Sequence, residues 1–155
     1  MNRLWVRLQY TGTIKDATRR RAERREMRTL VGMPLVQLSQ LDSLTLALYE
    51  NGLLSRILDQ VVACRDDVAQ AYLLESIIQV FPDQYHLATS SQLLQTITQT
   101  VATVDHYRLL TALIDRIQSA LASIDTKTEK DMLFFDTFLH AVAKTLQVFL
   151  LIMLR

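Results

Sequence analysis

The sequence has 155 residues, of which half are hydrophobic, with only three glycines and two prolines. So few chain breakers argue against β-sandwich and α/β folds, which need many turns, and predict an all-α protein. The formal net charge of +1 conceals an asymmetry, because the first 28 residues hold nine Lys/Arg against three Asp/Glu and the remainder holds eight against thirteen.

Hydrophobic periodicity predicts helices along almost the whole chain. A basic helix is predicted over about residues 16–41. Pro34 is expected to cause a kink or a break in it, because proline lacks a backbone N–H and crowds the preceding turn. Helix pairs are predicted over about residues 45–81 and 89–124, and a last helix over about residues 127–154.

Local signals mark several helix ends. Asp66 and Asp105 stand where N-cap side chains belong, and Pro82 marks the end of the helix that Asp66 begins. Thr126 and Glu129 have the spacing of a capping box, which would begin the last helix. The helix after Asp66 is apolar over a wide arc, so it is expected to pack against neighbours on both sides.

The predicted helix pairs begin about 40 residues apart, which is the length class of HEAT and armadillo repeats. Their short connections favour antiparallel neighbours. The sequence therefore predicts a single HEAT/armadillo-like α-solenoid segment of antiparallel helix pairs over residues 1–155, with about six to seven helices. A compact helical bundle is the competing architecture, and the wide apolar arcs favour the solenoid.

No pattern of residues predicts catalysis. Isolated glycines cannot form a phosphate-binding loop, and His86, His106 and His140 lie too far apart for a helical metal-ligand pair. Asp66 and Asp67 are adjacent on a helix and do not face one another, so they are poor partners for acid–base chemistry. We expect no enzyme activity, no cofactor and no metal site, and each histidine is expected at a helix end or on the surface.

One stretch of the basic helix could form a binding site. Its arginines are Arg19, Arg20, Arg21, Arg24, Arg25 and Arg28. They could contact the phosphates of an anionic membrane or, less favourably, of nucleic acid. Glu23 and Glu26 are interleaved and allow local ion pairs instead, and no aromatic residue alternates with the arginines for stacking on bases. A solvated helix face is the favoured interpretation, and no nucleic-acid partner is expected.

Cysteine content and hydropathy predict the compartment. Cys64 is the sole cysteine, which excludes an intrachain disulfide and is typical of a reducing environment. No stretch reaches the roughly 18 uncharged apolar residues of a membrane span, and Met1 to Gln9 lacks the apolar core of a signal peptide. The sequence therefore predicts a soluble cytosolic protein.

Seven short strings follow the order and nearly the spacing of one known family. They are MNRLWVRLQ from Met1, REMRTLVG from Arg25, LVQLSQLD from Leu35, ILDQVVACRD from Ile57, QAYLLESIIQVFPDQYHL from Gln70, LLTALIDRI from Leu109 and LFFDTF from Leu133. Through them the chain resembles the large α-solenoid subunit of retromer, the vacuolar protein sorting scaffold of endosomal cargo retrieval. The resemblance extends over about residues 1–147, and its most specific part runs from Ile77 to Leu87.

The resemblance implies a segment of a longer scaffold for protein transport from endosomes to the Golgi and the plasma membrane. It implies an arrestin-fold and a phosphoesterase-fold retromer subunit as partners, with sorting nexins and cargo tails besides. It also implies a cytoplasmic protein that is recruited to endosomal membranes. The family's Pro-Arg-Leu-Tyr-Asp-Phe motif for the arrestin-fold subunit has no match in this sequence, and neither has the C-terminal half that holds the phosphoesterase-fold subunit, so neither site is carried over.

The sequence also departs from the family. Pro34 and Gly52 replace ordinary helix residues, and after Gln147 the similarity ends in an apolar run, Val148 to Leu154. A solenoid that stopped there would expose an apolar face, so we expect a fragment, a truncated gene copy or a faulty gene model. The alternative to the scaffold is a small helical bundle whose arginine-rich helix binds anionic membrane or nucleic acid.

Overall fold

The computed structural model of the chain describes residues 17–123. Every regular element in that range is helical. The elements are α1 (Ala17–Ser39), α2 (Leu46–Leu48), a π-helical turn (Tyr49–Leu53), α3 (Leu54–Cys64), α4 (Asp67–Val80), α5 (Asp83–Gln99) and α6 (His106–Ala122). This architecture confirms the predicted all-α fold class. The predicted last helix, over about residues 127–154, lies outside the described residues, as do Thr126, Glu129 and His140.

The helices pack in two rows. α4 lies against both α1 and α6 in one row, and α3 and α5 contact each other in the second row. α3 also contacts α4, and α5 also contacts α6, which joins the rows. The inward side chains of α4, all buried, are Leu73, Leu74, Ile77 and Ile78. The prediction that α4 packs on both flanks is therefore confirmed, and such two-sided packing is the arrangement of an α-solenoid.

An aromatic cluster lies at the centre of the core. The ring of Tyr49 packs 4.7 Å from the ring of Phe81 and 5.1 Å from that of Tyr85, measured between centroids. Tilted aromatic pairs of this kind contribute about 0.5–1.5 kcal/mol each beyond the burial of their area. The Tyr85 hydroxyl donates a 2.7 Å hydrogen bond to the carbonyl of Leu44. The cluster thus joins the loop after α1, the π-helical turn and the corner between α4 and α5.

Side-chain caps begin three of the described helices. The hydroxyl of Thr45 accepts a hydrogen bond from the N–H of Leu48 at the start of α2. The carboxylate of Asp66 caps α4, and that of Asp105 caps α6 by accepting from the N–H of Arg108. The two N-caps predicted at aspartates are therefore confirmed, and each satisfies a backbone donor that a helix start would otherwise leave unpaired.

The predicted start of the second helix pair at residue 89 is wrong, because α5 begins at Asp83. Pro82 ends α4 as predicted, and it is also the N-cap residue of α5. The N–H of Tyr85, in the first turn of α5, donates to the Pro82 carbonyl. Proline suits a helix start, since its fixed φ is helical and its missing N–H would be unpaired there. Only Phe81 and Pro82 separate α4 from α5, so the boundary leaves almost no loop signature in the sequence.

Of the kink or break expected at Pro34, the break does not occur, because α1 continues past this proline to Ser39, and the kink stays a prediction. Pro34 is exposed, and so is Leu30 one turn earlier, so the carbonyl that loses its helical donor faces water. The irregularity falls instead at Gly52, within the π-helical turn, where the N–H of Leu54 donates to the carbonyl of Tyr49. Glycine has a low helix propensity, which makes this position the weak point of the helix.

Candidate interaction surface

The arginine-rich stretch of α1 divides between solvent and the fold. Arg19 is exposed and forms a 2.8 Å ion pair with Glu23 one turn along α1. Arg24 is only 14% exposed, and its Nη2 donates a 2.8 Å hydrogen bond to Oδ1 of Asp66. A partly buried charged pair of this kind is far less accessible to an external phosphate than the exposed Arg19.

Arg28 is likewise engaged within the fold. Its guanidinium carbon lies 4.6 Å from the ring centroid of Tyr72 in α4, which is a cation–π contact. Arg20 is partly exposed, whereas the side chains of Arg21 and Arg25 lie outside what the structure describes. That the six arginines contact an anionic surface stays a prediction, and the structure has already assigned two of them to contacts between α1 and its neighbours.

Asp66 is the point where three elements meet. Its Oδ1 accepts from the N–H of Ala69, which caps α4, and from the Arg24 guanidinium of α1. Just before it, the Cys64 thiol donates to the carbonyl of Gln60 at the end of α3. Burial, followed by the charge of Asp66, raises the pKa of the Cys64 thiol. A raised pKa favours the protonated thiol, and the Cys64 side chain packs against the core.

Gln70 is a buried polar side chain that the sequence analysis missed. Its Nε2 donates to the carbonyls of Val61 and Val62 at 3.1 and 3.2 Å, and its Oε1 accepts from the N–H of Val101 at 2.9 Å. It therefore satisfies the C-terminal end of α3 and the loop after α5 at once. The available signal was its position three and four residues before buried Leu73 and Leu74, within an apolar arc where a polar residue is unusual.

Arg116 joins α6 to the end of α4. Its Nε donates to the carbonyl of Ile78 at 3.0 Å, and its Nη2 donates to the carbonyl of Gln79 at 2.8 Å. Its Nη1 lies 3.0 Å from Oδ1 of Asp83 in an ion pair. The guanidinium thus binds the carbonyls that α4 leaves unpaired at its C-terminus, and it pairs with the carboxylate at the start of α5.

Two histidines are buried, which excludes a surface position for them, and both lie in the first turn of a helix, which is the other position expected. His86 lies inside α5 at 0% exposure, and its Nε2 donates to the carbonyl of Phe81. Burial, followed by the charge of Arg116, lowers the pKa of His86. His106 does lie at a helix end, where its Nε2 bonds to the hydroxyl of Thr100 at 2.8 Å, and burial lowers its pKa. Both rings are therefore neutral near pH 7, and both are used in packing.

The close approach of α1 to α4 is made at a glycine. Gly32 is buried, and a methyl group added there would collide with the hydroxyl oxygen of Tyr72. A side chain in place of Gly32 would therefore push α1 away from α4, which makes this residue a spacing determinant of the first row of helices.

Chemical sites are not evident in the part of the chain that the structure describes. Across residues 17–123, His, Cys, Asp and Glu side chains form no group of three that could hold a metal ion. No helix within the same residues combines the length and apolarity that crossing a bilayer requires. What the described surface does offer is an apolar groove between α1 and the helix formed by α2, the π-helical turn and α3.

Comparisons with known proteins agree with the resemblance noted in the sequence. A family model for vacuolar protein sorting-associated protein 35 matches residues 1–149. The chain is 47% identical over 122 residues to vacuolar protein sorting-associated protein 35A of Arabidopsis thaliana, which covers 79% of this chain and 16% of that protein.

Two further relatives match at somewhat lower identity. The chain is 39% identical over 146 residues to vacuolar protein sorting-associated protein 35 of Dictyostelium discoideum, which covers 94% of this chain and 19% of that protein. It is 41% identical over 117 residues to the protein of the same name in Schizosaccharomyces pombe. That match covers 76% of this chain and 14% of the relative. The matched part is therefore less than a fifth of the length of these relatives.

Proposed function

This chain belongs to the vacuolar protein sorting-associated protein 35 family, and on that premise we propose that it is a scaffold segment of a retromer-like cargo-recognition complex. It serves protein transport from endosomes to the Golgi and the plasma membrane, and it acts by binding proteins rather than by catalysis. The observation that carries the proposal is the family match over residues 1–149 of a 155-residue chain.

The packing supports a scaffold role in physical terms. Gln70 and Arg116 form hydrogen bonds to backbone groups at the junctions between helices. These hydrogen bonds oppose movement of one row of helices relative to the other. A surface whose geometry is fixed before binding loses little conformational entropy when a partner docks. Rigid helical rows are therefore suited to presenting binding faces at a set distance and angle.

The proposed partners are the arrestin-fold and phosphoesterase-fold subunits of retromer, sorting nexins and cargo tails. The proposed location is the cytoplasmic face of endosomal membranes, to which the complex is recruited. Because the chain spans less than a fifth of its relatives' length, these partners are assigned to the family scaffold as a whole, and this segment contributes part of the surface.

A capture experiment tests the proposal directly. The full chain is immobilised and offered purified arrestin-fold subunit, phosphoesterase-fold subunit and a sorting nexin, with anionic liposomes in parallel. We expect saturable capture of at least one protein that survives raised salt. Capture by liposomes alone, lost at high salt, would contradict the proposal, because a phosphate-binding surface is strongly salt-dependent whereas apolar docking is not.

A chimera tests the scaffold role without depending on any single partner. Residues 17–123 replace the matching segment of a full-length relative, and vacuolar sorting is measured in cells that lack that relative. We expect sorting to be retained. A matched insert with Leu113→Asp, at a side chain with 0% exposure, should abolish sorting by disrupting the core. A wild-type insert that folds, as judged by resistance to trypsin, but does not support sorting would refute the proposal.

A further inference from the structure

The groove between α1 and the following helix consists of two cavities in line. One encloses about 400 Å³ beside the end of α1, and the second encloses about 250 Å³ beside the turn of α1 that contains Pro34. Arg56 lines both cavities. The lining residues of α1 run from Val31 to the loop residue Leu41, which corresponds to a length of about 15 Å at the helical rise per residue.

The groove is mainly apolar, with three uncharged polar residues in its lining, Ser43, Asn51 and Gln60, and one charged residue at its middle. Most lining side chains are leucine, valine, isoleucine or proline, and Leu41 and Leu48 at the edge of the larger cavity are 51% and 57% exposed. Arg56 is the one charged residue of the lining. Among the described residues its guanidinium forms no ion pair or hydrogen bond. An apolar groove thus carries a single uncompensated positive charge where its two halves meet.

Gly52 leaves part of the larger cavity empty. A Cβ atom built at this residue would meet no atom within 4 Å, so the space next to the π-helical turn is open. The backbone at Gly52 has no positive φ, and an alanine would therefore be tolerated and would favour the helix. The glycine therefore leaves a volume empty and lowers the stability of the helix, whereas a larger residue would fill the volume and favour the helix.

We propose that this groove binds an amphipathic helical segment of a partner protein, with aliphatic side chains in the two cavities and a carboxylate on Arg56. A helix about 10 residues long matches the groove, and aliphatic residues at i, i+3 or i+4, and i+7 would reach both cavities. The guanidinium between the cavities selects an acidic residue, since a charge-assisted pair with carboxylate is its strongest contact. This inference rests on the proposed function, because it specifies what a protein-binding scaffold binds here.

Charge argues against other occupants. A membrane surface is held by clusters of basic residues, whereas the groove lining contains Arg56 alone. A second copy of the chain that docked groove to groove about a two-fold axis would bring the two Arg56 guanidinium groups toward each other, and like charges in an interface are unfavourable. An acidic amphipathic helix satisfies both the apolar cavities and the charge.

Peptide binding to the full chain tests the inference. The probe is a fluorescent synthetic helical peptide of about 14 residues with leucines at i, i+4 and i+7 and one glutamate beside the middle leucine. A matched peptide carries lysine in place of that glutamate. We expect micromolar affinity for the glutamate peptide and a preference of about tenfold over the lysine peptide. Arg56→Glu should reverse that preference.

Gly52→Leu should weaken binding of both peptides by about tenfold without lowering the melting temperature, because the added side chain fills open space. Ser55→Leu, which adds the same side chain on an exposed position of α3 outside the groove, is the matched control and should bind like the wild type. Equal affinities that neither Arg56→Glu nor Gly52→Leu alters would overturn the inference. The inference would also be overturned if the wild-type chain formed a dimer that does not bind the peptide and that Gly52→Leu dissociates.

The assay contains no retromer component, so the two proposals fail separately. If the chain captures retromer subunits but no peptide binds, the groove assignment falls and the scaffold function stands. If the peptide binds as expected while retromer capture and the chimera both fail, the groove stands as a docking site and the scaffold function falls.

Discussion

The Oε1 atom of Gln70 in α4 lies 2.9 Å from the backbone nitrogen of Val101, which donates to it from the loop between α5 and α6. Through its Nε2, the same side chain holds the last carbonyls of α3. One amide thus connects α4 to the end of α3 and to the loop after α5, and the Gln70 residue is 1% exposed. Low dielectric around it strengthens these hydrogen bonds and makes their loss costly.

Replacing this amide by an aliphatic side chain should destabilise the fold. Gln70→Leu conserves approximate volume but removes a hydrogen-bond partner of the Val101 N–H and of the Val61 carbonyl, whereas the Val62 carbonyl still accepts from the N–H of Arg65. We expect a loss of about 2–4 kcal/mol in the free energy of unfolding, measured by urea titration. Gln79→Leu, on the exposed side of the same helix, is the control and should change it by less than about 0.5 kcal/mol. Equal effects of the two substitutions would show that the junction contributes nothing.

The geometry of Arg116 leads to a second prediction. Its planar guanidinium reaches two carbonyls at the end of α4 and the carboxylate of Asp83 at the same time, which a lysine ammonium cannot do. Arg116→Lys should lower the free energy of unfolding by about 1 kcal/mol, a modest value because the group is partly exposed. The Asp83→Asn variant should cost less than Arg116→Lys in the same titration. The reverse order would mean that the ion pair, rather than the carbonyl contacts, carries the effect.

Some local signals in the sequence predicted the structure and others did not, and contacts between distant residues were not visible in it. Asp66 and Asp105 could be recognised as caps because a cap acts on a backbone N–H three residues away. The start of α5 was placed too late, because a corner of two residues contains no run of turn formers. The period of about 40 residues left a compact bundle open, the wide apolar arcs favoured the solenoid, and the resemblance to a known family implies the same fold.

Neither the groove nor the burial of individual arginines could be predicted from the sequence, because both depend on how distant elements pack together. Arg19, Arg24 and Arg28 all lie in the same basic stretch of α1, and the positions of Asp66 and Tyr72 decide which of them contact the rest of the fold. In the same way, Gly52 is read in the sequence as a helix weakness, whereas the space beside it depends on where α1 and its loop lie. The spacing of apolar residues predicts which face of a helix is buried, but it does not predict which other element packs against that face.

Substitutions of Arg24 and Arg19 should affect different properties, the first the stability of the fold and the second the charge of its surface. Arg24→Ala removes the partner of the buried Asp66 carboxylate, and we expect a loss of about 2–3 kcal/mol in the free energy of unfolding. Arg19→Ala should leave it unchanged, because that ion pair is exposed. If the arginine-rich stretch contacts anionic vesicles, Arg19→Ala should weaken vesicle binding measured by co-sedimentation. Vesicle binding that is insensitive to Arg19→Ala would count against that prediction.

Buried histidines make the fold sensitive to acid. The pKa of His86 is lowered by burial and by Arg116, so the unfolded chain takes up a proton on this ring at a higher pH than the folded chain does. The stability that the neutral ring contributes is fully present above about pH 6.5, the ordinary histidine pKa, and is lost as the pH falls below it toward the folded-state pKa. We expect the free energy of unfolding to decrease as the pH falls below about 6.5.

The variant that tests this is His86→Gln, whose amide N–H can still donate to the Phe81 carbonyl but does not titrate. Its free energy of unfolding should fall less steeply with acid than that of the wild type. Some slope should remain, because His106 is also buried with a lowered pKa, and a double variant with His106→Gln should have the shallowest dependence. Parallel curves for all three proteins would exclude the histidines as the cause.

The contact of Gly32 with Tyr72 should behave as a coupled pair. Gly32→Ala introduces a methyl group that collides with the Tyr72 hydroxyl, and overpacking of this kind costs about 1–3 kcal/mol. Alanine regains up to about 1 kcal/mol of helix propensity, so we expect a net loss of about 1 kcal/mol in the free energy of unfolding. In a Tyr72→Phe background the colliding oxygen is gone, and the same substitution should be neutral or stabilising. A double-mutant cycle by urea unfolding measures the difference, and additivity within about 0.3 kcal/mol would mean that α1 approaches α4 closely for some other reason.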